Sequence, residues 1–207
     1  DNPSNKTLYV DAVLGSDAND GFTPGPGGAL QTISAALNKS ISGGAINIAA
    51  GQYTTNIGEI FPLTIKDNNL ALIGTNRMGT IIDPGAASQQ VLRAVSHGLL
   101  WIQGLTITNG YVYEKLGGGI YISDCRATIT NCLLIRNRVT SAADPGNGYG
   151  GANLAVIGGS LTLVDSEIAN GTCGDGPGNA KRGIGIHLSG SSAMLRNTTI
   201  RNNTWGS

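Results

Sequence analysis

Apolar and polar residues alternate in short bursts along the second half of the chain, and the bursts recur. Four segments share one pattern: WIQGLTITNG, TITNCLLIRN, LTLVDSEIAN and MLRNTTIRNN. Aligned, they superpose Ile102, Ile129, Leu163 and Leu195, which lie 27, 34 and 32 residues apart. One extra residue allowed in the second copy also superposes Ile107, Ile135, Ile168 and Ile200. The alternation has period 2, the signature of short strands rather than helices. One copy is too small to bury its own apolar face. Copies stacked about 4.8 Å apart would bury continuous columns of Ile and Leu and pair the backbone between neighbours. The pattern predicts a β-solenoid.

Polar residues mark the bends. Asn109, Asn137, Asn170 and Asn202 follow the last strand of each copy, where stacked amides can form a ladder and Asn tolerates a left-handed backbone. Asn131, Asp165 and Asn197, with Gly104 in the same place, mark a second bend. The first half repeats less cleanly, but AINIAAG, PLTIK, NLALIG and TIID read as short strands. Before them, Leu30, Ile33, Ala36 and Leu37 have helical spacing and predict one short amphipathic helix over residues 30–39. That helix is the expected cap of the first coil. Residues 1–207 are read as one domain, with 1–45 as N-terminal segment and cap and 46–207 as coils.

The N-terminal run LYVDAVLGSDANDG, then LQTISAAL, then AINIAAGQYT, resembles the opening of many bacterial secreted β-helix proteins of the pectate-lyase-like superfamily, including an uncharacterised domain at their N-termini. The later Asn-rich copies are similar to the general β-helix repeat. The resemblance implies an all-β, right-handed parallel β-helix with a short N-terminal capping helix. It implies little about activity, because this scaffold carries lyases, hydrolases, adhesins and structural proteins.

Composition narrows the partners. Thirteen basic residues balance thirteen acidic ones, so no net field draws the chain to nucleic acid or to an anionic membrane. No apolar run approaches the roughly 18 to 20 residues of a membrane-spanning helix, and insertion into a membrane is not expected. The start at Asp1, without Met or an apolar leader, suits a mature secreted chain. Cys125, Cys132 and Cys173 are odd in number and lack CxxC spacing, so buried free thiols are expected. Sequons at Asn5, Asn38, Asn170, Asn197 and Asn202 are what an Asn- and Thr-rich sequence produces by chance.

Catalytic constellations are not signalled. β-Helix hydrolases of polygalacturonate carry Asn-Thr-Asp, Asp-Asp, Gly-His-Gly and Arg-Ile-Lys; here Asp-Asp and Asn-Thr-Asp are missing, Ser96 precedes His97-Gly98, and Lys66 follows Thr64-Ile65. The carboxylate pair of glycoside hydrolysis is therefore not indicated. β-Helix lyases gather carboxylates around Ca²⁺. In the repeats only Asp165 and Glu167 share a coil, and they read as a solvated strand face. His187, between Ile186 and Leu188, is expected to point outward. The densest acidic patch, Asp11 with Asp17, Asn19 and Asp20 in GSDANDG, is the candidate site for a structural Ca²⁺, and no other cofactor is expected.

Three insertions, residues 110–119, 139–152 and 171–183, follow the Asn ladder and should pile up at one corner of the solenoid. There Tyr111, Tyr113 and Tyr149 could stack on sugar rings, with Glu114, Lys115, Asp144, Lys181 and Arg182 as polar contacts. The function expected is a non-catalytic, extracellular or cell-surface solenoid with a structural or adhesive role, its partner an extracellular polysaccharide or itself. The alternative is a polysaccharide lyase or other carbohydrate-active β-helix enzyme. Self-association would run head to tail into filaments, Leu8 and Val10 meeting the last coil beside Trp205.

Overall fold

The computed structural model describes residues 7–66, 69–85, 89–95, 98–140, 149–174 and 183–206. Every strand pair in it is parallel, and the pairs form three sheets of ten, six and four strands, the smallest confined to the second half of the chain. Parallel neighbours separated by 25 to 38 residues of chain are what a solenoid coil produces. The chain is a right-handed parallel β-helix with a short helix at its start.

The interior columns follow the alternation. In the first sheet Leu8, Ile46, Leu72, Ile102, Ile129, Leu163 and Leu195 stand in register. In the second, Tyr53, Ile82, Ile107, Leu134, Ile168 and Ile200 do so. One apolar cluster runs unbroken from Leu8 to Ile168. Ile135 does not join the column. It pairs with Thr108 and Ala169, half-buried, while Leu134 faces inward. The second copy needs no extra residue. The run Leu133-Leu134-Ile135 hides the period, and hydrogen-bond register decides which of the three points in.

That correction moves the bend. The left-handed position of each coil is Asn109, Arg136, Asn170 and Asn202, with φ of 57°, 56°, 53° and 52°. Asn137 lies one residue later, fully buried, and belongs to a different ladder. Its Nδ2 donates to Asn153 Oδ1 at 2.8 Å, and Asn153 Nδ2 donates to Asn203 Oδ1 at 2.9 Å. The same amides hold the backbone of Ile107, Ala169 and Ile168. At the other bend Gly104, Asn131, Asp165 and Asn197 all have positive φ, as the sequence pattern expects. Gly104 is required there, since a Cβ would stand 2.6 Å from the carbonyl oxygen of Gly74 one coil below.

The helix spans Ile33–Lys39, not 30–39. Leu30 bridges to Val10 in extended backbone, and Thr32 caps the helix by accepting from Ala35 N. Ile33 and Ala36 enter the core. Glu59, buried, accepts from Ile33 N, Ser34 N and Ser34 Oγ and so fixes the helix start to the coil beneath. Leu8 and Val10 are buried in the core, and the outer edge of their strand already bonds to Gly21 and Leu30. Both side chains, expected to meet a second copy, point into the coil interior.

Candidate functional site

The expected loop corner begins with regular structure that the sequence does not announce. Tyr111–Tyr113, Arg138–Thr140, Thr172–Gly174 and Thr204–Gly206 pair as a third, four-stranded sheet. Its inward column is Val112, Val139, Cys173 and Trp205, packed with Ala152, Tyr149 and Ile184 as a second apolar cluster. Trp205 is therefore a half-buried part of this cluster. Tyr111 lies on the sheet's other face, where its hydroxyl meets Thr140 Oγ1 at 2.6 Å and the Arg138 guanidinium stands 5.8 Å from its ring. Tyr113 is exposed.

Beyond Tyr113 the chain turns back over the first sheet. Glu114 takes the left-handed φ of 52°, and Gln90 Nε2 pins the following turn by donating to the carbonyls of Leu116 and Gly117. This turn brings Glu114 and Lys115 above an outward column of the sheet, in which Arg93 and Tyr121 are register partners. The Arg93 guanidinium lies over the Tyr121 ring, 4.8 Å from its centroid. With Gln90, Leu116 and Tyr149 these residues line a cleft of about 440 Å³. Two tyrosine rings, a guanidinium, an ammonium, a carboxylate and an amide thus converge, the mix of flat apolar faces and directed polar groups by which proteins hold sugars. Arg93 stacked on Tyr121 is held in position before a ligand arrives.

Of the expected loop residues, Glu114, Lys115 and Tyr149 meet at this cleft, while Tyr111 and Tyr113 stay on the third sheet. Asp144, Lys181 and Arg182 lie outside the described residues, as does His97. Arg93, Tyr121 and Gln90 were not anticipated. Their signal was the equivalence of LRAV and IYIS, whose second residues must face outward together. His187 sits in that outward column but is buried, because Gly151 and Gly183 cross over it. Alternation gave its face correctly and its exposure wrongly.

The candidate calcium residues are not gathered at one point. Asp11 accepts from Val13 N and Leu14 N, and Asp20 from Phe22 N. Asp17 receives Gln31 N, Thr32 N and Thr32 Oγ1, and Asn19 donates to the carbonyls of Pro26 and Ala29. Asp17 thereby ties the loop to the start of the helix, while Asp11 and Asp20 close local turns. Among the described residues no three His, Cys, Asp or Glu side chains cluster as a metal site. Asp165 accepts from Asn197 and Glu167 pairs with Arg201 at 2.6 Å.

Residues 13–88 match a family of proteins of unknown function, DUF1565. No curated protein sequence matches the chain. Among solved structures, pectin methylesterase PemA from Erwinia chrysanthemi aligns with a TM-score of 0.53 and 16% identity, over 91% of this chain and 66% of that one. A rhamnogalacturonan lyase aligns with a TM-score of 0.50 and 14% identity, over 93% of this chain and 56% of that one. The chain thus spans just under two thirds of the first protein and little more than half of the second. At these identities the likeness is one of fold, that of a right-handed parallel β-helix.

Proposed function

We propose that the chain is an extracellular glycan-binding β-solenoid with an adhesive or structural role, and that the corner cleft holds a polysaccharide. The observation that carries the reading is the convergence of Arg93, Tyr121 and Tyr149 with Glu114 and Lys115 in one groove. Two cations against one carboxylate favour an acidic polymer, such as one rich in uronate. Among the described residues Glu114 is the carboxylate that lines the cleft, which suits binding better than acid and base chemistry by a carboxylate pair. No helix among the described residues is long and apolar enough to cross a membrane.

Affinity electrophoresis through gels containing polygalacturonate tests this directly. The wild-type chain should be retarded, Tyr121→Ala and Arg93→Gln should run as in a gel without polymer, and no product should form. Unretarded migration of the wild-type chain overturns the reading. Formation of unsaturated uronate from polygalacturonate, or of methanol from methyl-esterified pectin, lost with Arg93→Gln, replaces it with the enzymatic alternative, which the esterase and lyase likenesses of fold leave open.

Association is the second part of the proposal. It uses Leu188, Leu195 and Ile200, which among the described residues are 40%, 44% and 49% exposed although their partners Val156, Leu163 and Ile168 are fully buried. With Leu8 and Val10 occupied in the core, a joint through these residues requires a different partner surface from the one the sequence suggested.

A further inference from the structure

Past the bend at Asp124, the first sheet turns a second outward face to solvent, and its most prominent feature is Trp101. Trp101 is 44% exposed, a large apolar side chain at the surface. Its position is fixed, because Nε1 donates to Gln103 Oε1 at 3.1 Å on the same face. Its register partner toward the N-terminus is Ala71 and the next is Ala45. Two alanines in succession drop the floor beside the indole and leave a trough of about 550 Å³, bounded further by Gly43 and Gly44. On the other side stand Thr128, the ring's partner, and Arg126, the partner of Leu99. Arg126 is exposed, and among the described residues no carboxylate pairs with it. Asn69 Oδ1 holds Leu99 N at 2.9 Å and so sets the wall of the trough.

We infer that this trough is a second, separate carbohydrate site, which takes a carboxylate-bearing pyranose unit. An exposed indole beside a floor of small residues offers a flat, polarisable face to the C–H face of a sugar ring. The Arg126 guanidinium can receive a ring carboxylate through paired, charge-assisted hydrogen bonds, a geometry that a lysine could not reproduce. Thr128 adds a hydroxyl. The trough shares no lining residue with the corner cleft, so it does not depend on the function proposed for that cleft. One polymer engaging both sites would bind more tightly than either alone, through effective concentration.

The test is titration of the chain with hexagalacturonate and with its fully methyl-esterified form, followed by tryptophan emission and by calorimetry. Hexagalacturonate should change the emission saturably. Trp101→Ala should weaken calorimetric binding at this site about tenfold or more, whereas Trp101→Phe should keep affinity within about threefold and lose most of the emission change. Arg126→Gln should weaken the acidic hexamer about tenfold and leave the esterified one unaffected. Tyr121→Ala should leave the Trp101 emission titration unchanged, and loss of binding at the corner cleft alone would leave this site standing. Unchanged emission in the wild-type chain, wild-type affinity in both Trp101→Ala and Arg126→Gln, or loss of the emission change in Tyr121→Ala each overturns it. Should Trp101→Ala fail to fold by circular dichroism, Trp101→Phe and Arg126→Gln decide the matter.

Discussion

Asn153 shows how one side chain can hold several coils together. Its carbonyl oxygen receives Asn137 and its amide group gives to the carbonyl of Ala169, both buried, and to the half-buried Asn203. Asn153→Ala takes the acceptor from the backbone N–H of Asn137 and from one of its Nδ2 hydrogens, each costing roughly 1 to 3 kcal/mol. We expect a loss of about 3 kcal/mol in urea unfolding, and a loss under 0.5 kcal/mol would contradict the ladder. Glu59 gives a pH-dependent prediction. Burial raises its carboxyl above the usual carboxylate range, and the hydrogen bonds from Ser34 and Ile33 only partly offset that. The folded chain therefore holds this proton more tightly than the unfolded one. The stabilisation from this group is complete below the unfolded value of about 4.3 and is lost as pH rises through the higher folded value. Thermal midpoints should reflect that fall in the wild-type chain, with a smaller fall in Glu59→Gln. An equal slope in both would show that Glu59 is not the group responsible. The interior columns were legible in the sequence because Ile and Leu alternate with polar partners. Leu133-Leu134-Ile135 was misread for the opposite reason: three apolar residues in a row carry no phase, and only the register against Ile107 and Ile168 supplies it.

Among the elements, the third sheet was the least visible. Its strands are three residues long, YVY, RVT, TCG and TWG, and a single inward residue each gives alternation nothing to repeat against. Stacking makes the pattern clear afterwards, as Val112, Val139, Cys173 and Trp205 fall in one column. The same packing sets thiol chemistry. Burial pushes the Cys132 and Cys173 thiols up to about 11, so little thiolate exists at pH 8. Both should resist iodoacetamide in the folded chain and react within minutes in 8 M urea, as read by mass spectrometry. Rapid native labelling of Cys173 would mean that the third sheet opens readily. The corner cleft was half legible. The loops supplied Glu114, Lys115 and Tyr149 by sequence position, but Arg93 and Tyr121 reach it from strands that read as ordinary scaffold.

Taken whole, the molecule covers its N-terminal coil. Its first coil is closed by the helix, by the loop that bonds Tyr9 to Gly21 and Leu30, and by Glu59. Leu195 and Ile200, on the C-terminal side of the described coils, are exposed apolar side chains and are the surface offered for association. Sedimentation velocity should show concentration-dependent association that Ile200→Lys suppresses; a wild-type chain that stays monomeric at high concentration would remove the second part of the proposal. The cleft itself is tested most directly by mapping amide chemical shifts during titration with an acidic oligosaccharide such as hexagalacturonate. Glycan binding at the corner requires saturable shifts at Arg93, Tyr121, Leu116 and Tyr149, abolished there by Tyr121→Ala. Unmoved amides at all four positions up to millimolar oligosaccharide, whatever moves elsewhere, would contradict it.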